Sequence, residues 1–490
     1  MTDIALPCAG RYRYAGFTMG NGIVKINNLK KTIRYLKKNG IRHAYYAAKE
    51  RIEEERSSDY YYKDPPEETL KAQRRESAAY SDLFSIVVPA YETDEKFLHE
   101  MMNSVCAQSY DKWELIIADA SRSDIVERAV KQICEKGGER IKYTRLAENK
   151  GISGNTNAGL ALATGDYIAL LDHDDFLAPD ALYHMAAALY HARQQGTEPA
   201  LIYTDEDKFD SNKRYHIMPN NKKKFNLDLI LSNNYICHFM AVEANIMKKL
   251  RLRSEFDGAQ DYDLVLRVIG ELCGSVSMQE LSERIVHIPR VLYHWRCHTD
   301  STADNTASKS YAYEAGKAAL EDFCARQGWQ VEVNHSLHLG FYEITYLPDL
   351  LTVRKDVGIV GGRILDTHNH ICAGAMESDG SCMYEGLHKE YSGGSTHRAS
   401  LKQDVAAADI RCIQVRTELR EDFEQITGLP YTERTIRCKI GRSSRQIRIA
   451  DVSGLSCDEA GYRKLSMELG RAAAKRGYHV LWDPRIEIRN

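Results

Sequence analysis

The sequence predicts an α/β protein whose main domain is built on a mostly parallel β-sheet. From Phe84 onwards, short apolar runs alternate with segments of helix length. The apolar runs are nearly continuous, which is typical of strands buried on both faces of a parallel sheet. The chain of 490 residues is long enough for two or three domains with cores of their own.

Four apolar runs define the first half of the predicted sheet. Pro89 ends the first run, and Thr164-Gly165-Asp166 precedes the fourth. A strand–helix–strand alternation of this kind places helices on both faces of a parallel sheet. The predicted strands are Phe84–Val88, Glu114–Ala118, Ile141–Thr144 and Tyr167–Leu171, with helices near 94–108, 123–136 and 151–163.

Residues 1–80 differ in composition from the rest and form a predicted N-terminal basic helical region and linker. Residues 25–51 hold nine Lys or Arg and a single acid, Glu50, and Leu29, Ile33 and Leu36 share one helical face. Such a helix is able to lie on an anionic membrane surface. The alternative is a solvated helix packed on the next domain.

Composition excludes several functional classes. A net charge of −3 gives no general attraction to nucleic acid, and no run of about 18 apolar residues is present to span a membrane. The start of the chain lacks a signal-peptide pattern, and twelve cysteines without a Cys-x-x-Cys pair suit a reducing compartment. We therefore expect a cytoplasmic protein, peripheral at the inner face of the membrane if the basic helix binds there. His368, His370 and Cys372 lack a fourth zinc ligand and are interpreted as packing residues.

The most informative segment is Asp172-His173-Asp174-Asp175, which follows the fourth predicted strand. In an extended chain alternate side chains share a face, so Asp172 and Asp174 are expected on one side. Two carboxylates at the carboxyl end of a strand suit a divalent cation and the phosphates that it carries. The alternative is an acidic turn that caps the following helix.

A series of ordered motifs resembles those of family 2 glycosyltransferases. The resemblance implies the GT-A nucleotide-sugar-binding fold, a nucleoside-diphosphate sugar donor, a saccharide or lipid-linked acceptor, and Mn²⁺ or Mg²⁺ as cofactor. The motifs are Val88-Pro89-Ala90-Tyr91, Ile117-Ala118-Asp119, Asn149-Lys150-Gly151, Leu171–Asp175, Phe256–Leu264 and Tyr293–His298.

The resemblance also implies roles for individual residues. Asp261 is the expected general base, which takes the proton of the acceptor hydroxyl. The chain departs from the family at Gln260, where Glu is usual. The expected donor-binding residues are Pro89, Tyr91, Asp119, Asn149, Gly151 and Asp172. The expected metal ligands are Asp174, Asp172 and His298, with His294 as the rival to His298. Residues expected at the acceptor or behind the site are Asp205, Asp207, Asp263, His294, Trp295 and Arg296.

The predicted domains are 1–80, the transferase domain 81–330 and a C-terminal domain 331–490. The last resembles only the later half of a family 2 module, and Tyr462 and Lys464 stand where carboxylates are expected. We interpret it as a degenerate GT-A-like copy retained for packing, dimerisation or acceptor contacts. The alternative is an unrelated α/β domain.

Together these features predict a metal-dependent inverting glycosyltransferase that acts in surface polysaccharide synthesis. One alternative is a catalytically weak pseudo-transferase that scaffolds a polysaccharide assembly complex. Another is a sugar nucleotidyltransferase, which would need a glycine-rich basic loop after the first strand. Pro89-Ala90-Tyr91-Glu92 occupies that position instead.

Overall fold

The computed structural model describes residues 36, 40–53, 59–135, 140–273, 278–297, 310–440 and 443–490. The predicted basic helix therefore lies largely outside the described residues, and so does His298. The helices are α1 (40–53), α2 (Glu67–Glu76), α3 (Glu95–Cys106), α4 (Ile125–Cys134), α5 (Gly151–Leu160), α6 (Ala181–Gln194), α7 (Leu227–Ile230), α8 (Ala244–Leu250), α9 (Gln260–Cys273), α10 (Met278–Arg284), α11 (Ser310–Arg326), α12 (Leu350–Val353), α13 (Arg420–Thr427) and α14 (Glu459–Lys475).

The strands are β1 (Phe84–Ala90), β2 (Trp113–Asp119), β3 (Ile141–Arg145), β4 (Tyr167–Leu170), β5 (Phe176–Leu177), β6 (Leu201–Asp210), β7 (Tyr215–Asn220), β8 (Met240–Glu243), β9 (Ile285–Cys297), β10 (Val331–His335), β11 (Tyr342–Tyr346), β12 (Val357–Leu365), β13 (Ile371–Ala373), β14 (Ala375–Met376), β15 (Gln403–Val405), β16 (Ala407–Ala408), β17 (Ile413–Val415), β18 (Glu433–Ile440), β19 (Ser443–Ala450) and β20 (His479–Arg489).

The main sheet has the strand order β3-β2-β1-β4-β8-β6-β9-β5, with β7 paired to β6. The pairs among β3, β2, β1 and β4 are parallel, β8 is antiparallel to both of its neighbours, and β6 and β9 form a second parallel pair. The four predicted strands thus form the first half of the sheet in the predicted arrangement.

The sheet is buried on both faces, as the continuous apolar runs predict. Ile86 and Val88 pack with the residues of α3 and α4, whereas Val87 packs on the opposite side with α5 and α9. Gly159 in α5 allows the helix to lie close to the sheet, because a Cβ there would be 2.7 Å from a methyl of Val87. This packing fixes the carboxyl ends of β1, β2 and β4 along one edge.

The C-terminal domain contains a second sheet of order β13-β12-β20-β15, with β17 also paired to β12. Its β12 and β20 are parallel and β17 is antiparallel to β12, the same relation that β6, β9 and β8 have in the main sheet. In both pairs the register skips beside a Pro-Arg step, Pro289-Arg290 in β9 and Pro484-Arg485 in β20. The shared arrangement favours the prediction that the C-terminal domain is a degenerate copy of the later half of a family 2 module, which stays a prediction.

A buried charged cluster joins the two domains. Arg354 is fully buried and donates to both oxygens of Asp228 in α7, at 2.9 and 3.1 Å, and to Asp356, at 2.7 to 3.2 Å. His479 lies 3.1 Å from Asp404 and 3.4 Å from Asp228. The charges of each domain therefore have partners in the other.

Among the helices in the described part of the chain, none has the length and apolar character that crossing a membrane requires.

Candidate active site

The acidic segment after β4 is a turn and not a continuation of the strand. β4 ends at Leu170, and the Asp175 N–H lies 3.3 Å from the carbonyl oxygen of Asp172. The expectation that Asp172 and Asp174 share one face of an extended strand is therefore wrong, because the backbone reverses between them. Both side chains remain partly exposed at the carboxyl edge of the sheet, Asp172 at 45%.

The third carboxylate, Asp175, points into the protein and anchors this turn. It accepts hydrogen bonds from the Tyr293 hydroxyl and from the Arg296 N–H, the latter at 2.7 Å. The Arg296 guanidinium also donates to the carbonyl oxygen of Asp174 at 2.5 Å. Tyr293 and Arg296 of β9 thus hold the backbone of the acidic turn in place.

His238 connects the acidic turn to a buried ion pair. Its Nε2 lies 3.8 Å from Asp172, and its Nδ1 lies 3.2 Å from Glu206. Its ring stacks on Tyr293 with centroids 4.8 Å apart. Lys222, whose side chain is fully buried, lies 3.4 Å from Glu206 and donates to the carbonyl oxygens of Ile236 and His238.

The predicted general base belongs to the same cluster. Asp261 lies in the first turn of α9 and accepts a 2.8 Å hydrogen bond from the Asn234 side-chain amide. The Cys237 thiol lies 3.6 Å from Asp261 and 3.4 Å from the His238 ring. Folding therefore brings Asp172 and Asp261, which are distant in sequence, to the two ends of a chain of contacts through His238 and Cys237.

The electrostatics of the cluster follow from its packing. Desolvation raises the pKa of Asp172; the His238 charge opposes this rise and the Asp174 charge adds to it. Burial alone would lower the pKa of His238, but Cys237 and Glu206 raise it well above its usual value. Burial likewise tends to raise the pKa of Glu206, yet Lys222 and His238 lower it to about 2. A protonated His238 imidazolium thus lies behind Asp172.

The predicted donor-binding residues line the same edge of the sheet. Asp119, at the end of β2, is fully buried and accepts hydrogen bonds from the Ser121 N–H and the Tyr143 hydroxyl, each at 2.8 Å. Asn149 accepts the Gly151 N–H at 3.0 Å where α5 begins. At the end of β1, Pro89 is partly exposed and Tyr91 is 42% exposed. Donor binding by these residues stays a prediction.

Several residues expected near the acceptor are bound within the protein. Asp205 accepts from the Lys222 N–H at 2.8 Å and lies 2.7 Å from His287 Nε2. Asp207 accepts hydrogen bonds from Tyr60, His216 and His294 at 2.7 to 2.9 Å.

The other residues of this group have equally local partners. Asp263 is paired with Arg253 and Arg267, and Lys208 lies over the Trp295 ring at 5.3 Å. His294 is the alternative to His298 as the predicted metal ligand, and its Nδ1 lies 2.7 Å from an Asp207 carboxylate oxygen.

Three sets of potential ligands come together among the described residues, each with its ligand atoms within 4.8 Å of one another. They are Glu206, Cys237 and His238; Asp207, His216 and His294; and Asp228, Asp404 and His479. Each set is internally hydrogen-bonded or paired with neighbouring charges. The partly exposed oxygens of Asp172 and Asp174 are a harder donor set and fit Mn²⁺ or Mg²⁺ better.

Sequence reasoning missed His238, Glu206 and Asn234. Glu206 lies between Asp205 and Asp207, both of which were predicted at the acceptor or behind the site. Because side chains of a strand alternate, Glu206 lies on the other side of β6 and reaches His238. Asn234 and His238 come from a loop with no recognisable pattern, so no local signal identifies them.

Residues 85–251 match the family model described as Glycosyl transferase family 2. This segment is a family 2 glycosyltransferase domain. Its α/β sheet and the second α/β domain that follows confirm the predicted fold class, a GT-A domain with a further α/β domain.

The family 2 domain has relatives in several bacteria. The chain is 34% identical over 253 residues to the O-antigen biosynthesis protein RfbC of Myxococcus xanthus, which covers 51% of this chain and 19% of that protein. It is 38% identical over 248 residues to the protein y4gI of Sinorhizobium fredii, covering 50% of this chain and 26% of that protein. The matched segment thus spans about a quarter or less of these two relatives.

A solved structure, S. aureus TarS 1–349, superposes with a TM-score of 0.37 at 17% identity and covers 50% of this chain and 65% of that one.

Proposed function

We propose that this protein is a metal-dependent, inverting glycosyltransferase that moves a sugar from a nucleoside-diphosphate sugar to a saccharide or lipid-linked acceptor in surface polysaccharide synthesis. The observation that carries the proposal is the cluster that places Asp172 and Asp261 at opposite ends of one contact chain, at the carboxyl edge of a family 2 domain. The similarity to RfbC, an O-antigen biosynthesis protein, supports a role in polysaccharide synthesis.

The acidic turn fits a divalent cation. Asp172 and Asp174 offer partly exposed carboxylate oxygens, and the charge of Asp174 contributes to the raised pKa of Asp172. A cation between them would relieve this repulsion. When bound, the metal would neutralise charge on the departing nucleoside diphosphate.

Two side chains of the protein act on the acceptor side of the reaction, Asp261 and Asn234. Asp261 accepts the proton of the acceptor hydroxyl as that oxygen forms its bond to the anomeric carbon, and the bond to the diphosphate breaks with its electron pair. One displacement with a single base on the acceptor side inverts the anomeric configuration. Asn234 holds the Asp261 carboxylate in place through its 2.8 Å hydrogen bond.

The base is tested with Asp261→Asn, which preserves size but does not take up the proton. After a screen of nucleotide sugars with Mn²⁺ identifies the donor, we expect unchanged donor affinity and a fall in turnover of roughly 10²-fold or more. Asp124→Asn, on an exposed side chain at the start of α4, is the matched control and should keep full turnover. Near-normal turnover of Asp261→Asn would place the base elsewhere.

The metal is tested separately. Asp174→Ala should abolish the Mn²⁺-dependent part of nucleoside-diphosphate binding in calorimetry, while metal-independent binding persists. An Asp174→Ala variant with the same Mn²⁺ response as the unaltered protein would refute the metal assignment. A protein that binds donor and metal but turns over no tested donor–acceptor pair would favour the scaffold alternative.

A further inference from the structure

A loop of the second domain surrounds the carboxylate of Glu50, a residue of the N-terminal helix α1. Glu50 Oε1 accepts the N–H groups of Gly393 and Gly394 at 2.7 and 2.9 Å. Its Oε2 accepts the N–H and the hydroxyl of Ser392 at 3.1 and 2.9 Å. Three successive backbone N–H groups that converge on one anion form an anion-binding nest. We call Ser392-Gly393-Gly394 the nest.

The nest is shaped by its own domain and not by Glu50. Gly393 and Gly394 have φ values of +86° and +81°, a region that favours glycine. A Cβ at Gly393 would lie 2.9 Å from the backbone nitrogen of Ala399. The Ala399 N–H donates to the Ser392 carbonyl oxygen at 2.8 Å, and His397 Nδ1 lies 2.7 Å from the Ser392 hydroxyl. Contacts within the second domain therefore orient the three N–H groups of the nest, independently of α1.

The remaining contacts of α1 with the second domain involve aromatic rings and charged side chains. Tyr46 stacks on His388 with centroids 4.7 Å apart and packs edge-on against Tyr391. Arg42 and His43 lie 3.1 and 3.5 Å from Glu390, and Lys49 lies over the Tyr391 ring at 5.5 Å. Of the apolar side chains of α1, Ala44 is buried, whereas Ile41 is 79% exposed. Glu50 adds four hydrogen bonds to these contacts, so their loss weakens the attachment of α1.

We propose that the nest is a binding site for a phosphate group, which takes the place of the Glu50 carboxylate and releases α1 from the second domain. A phosphate has two oxygens spaced much like those of a carboxylate, so it is able to accept the same four hydrogen bonds. It also carries more negative charge, which strengthens hydrogen bonds from N–H groups. This site is separate from the catalytic cluster, and its existence does not depend on the proposed glycosyl transfer.

The first test removes the internal competitor. Inorganic phosphate is titrated calorimetrically into the full chain and into Glu50→Ala, in which we expect at least tenfold tighter binding because the nest is vacated. Glu53→Ala, on an exposed side chain of the same helix 3.8 Å from Lys49, is the control and should bind like the unaltered chain. Adding Gly393→Val to Glu50→Ala should abolish the gain. Equal binding by Glu50→Ala and the unaltered chain would overturn the proposal, as would a gain that survives Gly393→Val.

A second test uses the unaltered protein and needs no variant. Hydrogen exchange of the amides in residues 40–53 should rise at least threefold with phosphate, but not with chloride at the same ionic strength. Vesicles of phosphatidylcholine with phosphatidic acid, compared with phosphatidylcholine alone, distinguish a lipid headgroup from free phosphate as the source. A rise with either phosphate source supports the site. Exchange that responds to neither source would overturn the proposal.

Discussion

Replacing Arg354 with Met tests the charged cluster that joins the two domains. The guanidinium is fully buried and bonded to Asp228, Asp356 and the Tyr346 hydroxyl, and Asp228 is 2% exposed. Met keeps most of the aliphatic packing but leaves the Asp228 carboxylate buried without its main partner. Removal of one member of a buried pair costs about 3–5 kcal/mol. Because His479 lies 3.4 Å from Asp228 and compensates in part, we expect the lower end, about 3 kcal/mol.

The measurement is urea unfolding followed by circular dichroism and by tryptophan fluorescence; Trp329, one of the four tryptophans, has its ring 4.7 Å from the Arg354 guanidinium. With two domains the curve is fitted as separate transitions, and the losses in the fitted free energies of unfolding are added. Arg463→Met, which breaks an exposed pair with Glu385, is the matched control and should cost about 0–1 kcal/mol. Adding Asp228→Asn to Arg354→Met should recover part of the loss. A loss for Arg354→Met no larger than that of the control would refute the reasoning.

Three further predictions follow from buried groups and close packing. Burial raises the pKa of Asp404 from 3.8 to about 7, so the folded protein keeps a proton that the unfolded chain has released, and stability falls as the pH rises from 3.8 to about 7. Asp404→Asn is neutral at every pH, so its melting temperature should change less with pH across this range than that of the unaltered protein. The same change of melting temperature with pH in both proteins would contradict the assignment. Tyr293→Phe removes a hydrogen bond to buried Asp175 and should cost about 1–3 kcal/mol in urea unfolding, whereas no loss would show that Asp175 finds another donor. Gly159→Ala should cost about 1–3 kcal/mol because its Cβ would clash with the sheet, whereas Gly270→Ala, whose nearest atom is at 3.5 Å, should be neutral or stabilising; equal effects of the two would refute the packing argument.

Local pattern was sufficient to predict the first half of the main sheet. The strands containing Ile86, Ile116 and Ile168 were predicted because continuous apolar runs between helical segments have few other stable arrangements. The order of the motifs predicted the family of the transferase domain, which the match over residues 85–251 supports. The site roles of Asp172, Asp174 and Asp261 remain predictions, although the fold places them around one edge.

The sequence by itself determined which acidic residues follow β4 and lie in the first turn of α9, because strand ends and helix starts are local features. Only the tertiary structure decided that Asp172 and Asp174 lie in a turn, that Asp175 faces inwards, and that His238 stands between Asp172 and Glu206. The same is true of the Glu50 carboxylate in the nest and of Arg354 beneath Asp228. These contacts join segments far apart in the chain, so their partners are set by how sheets and domains pack and leave no periodic or compositional trace in the sequence.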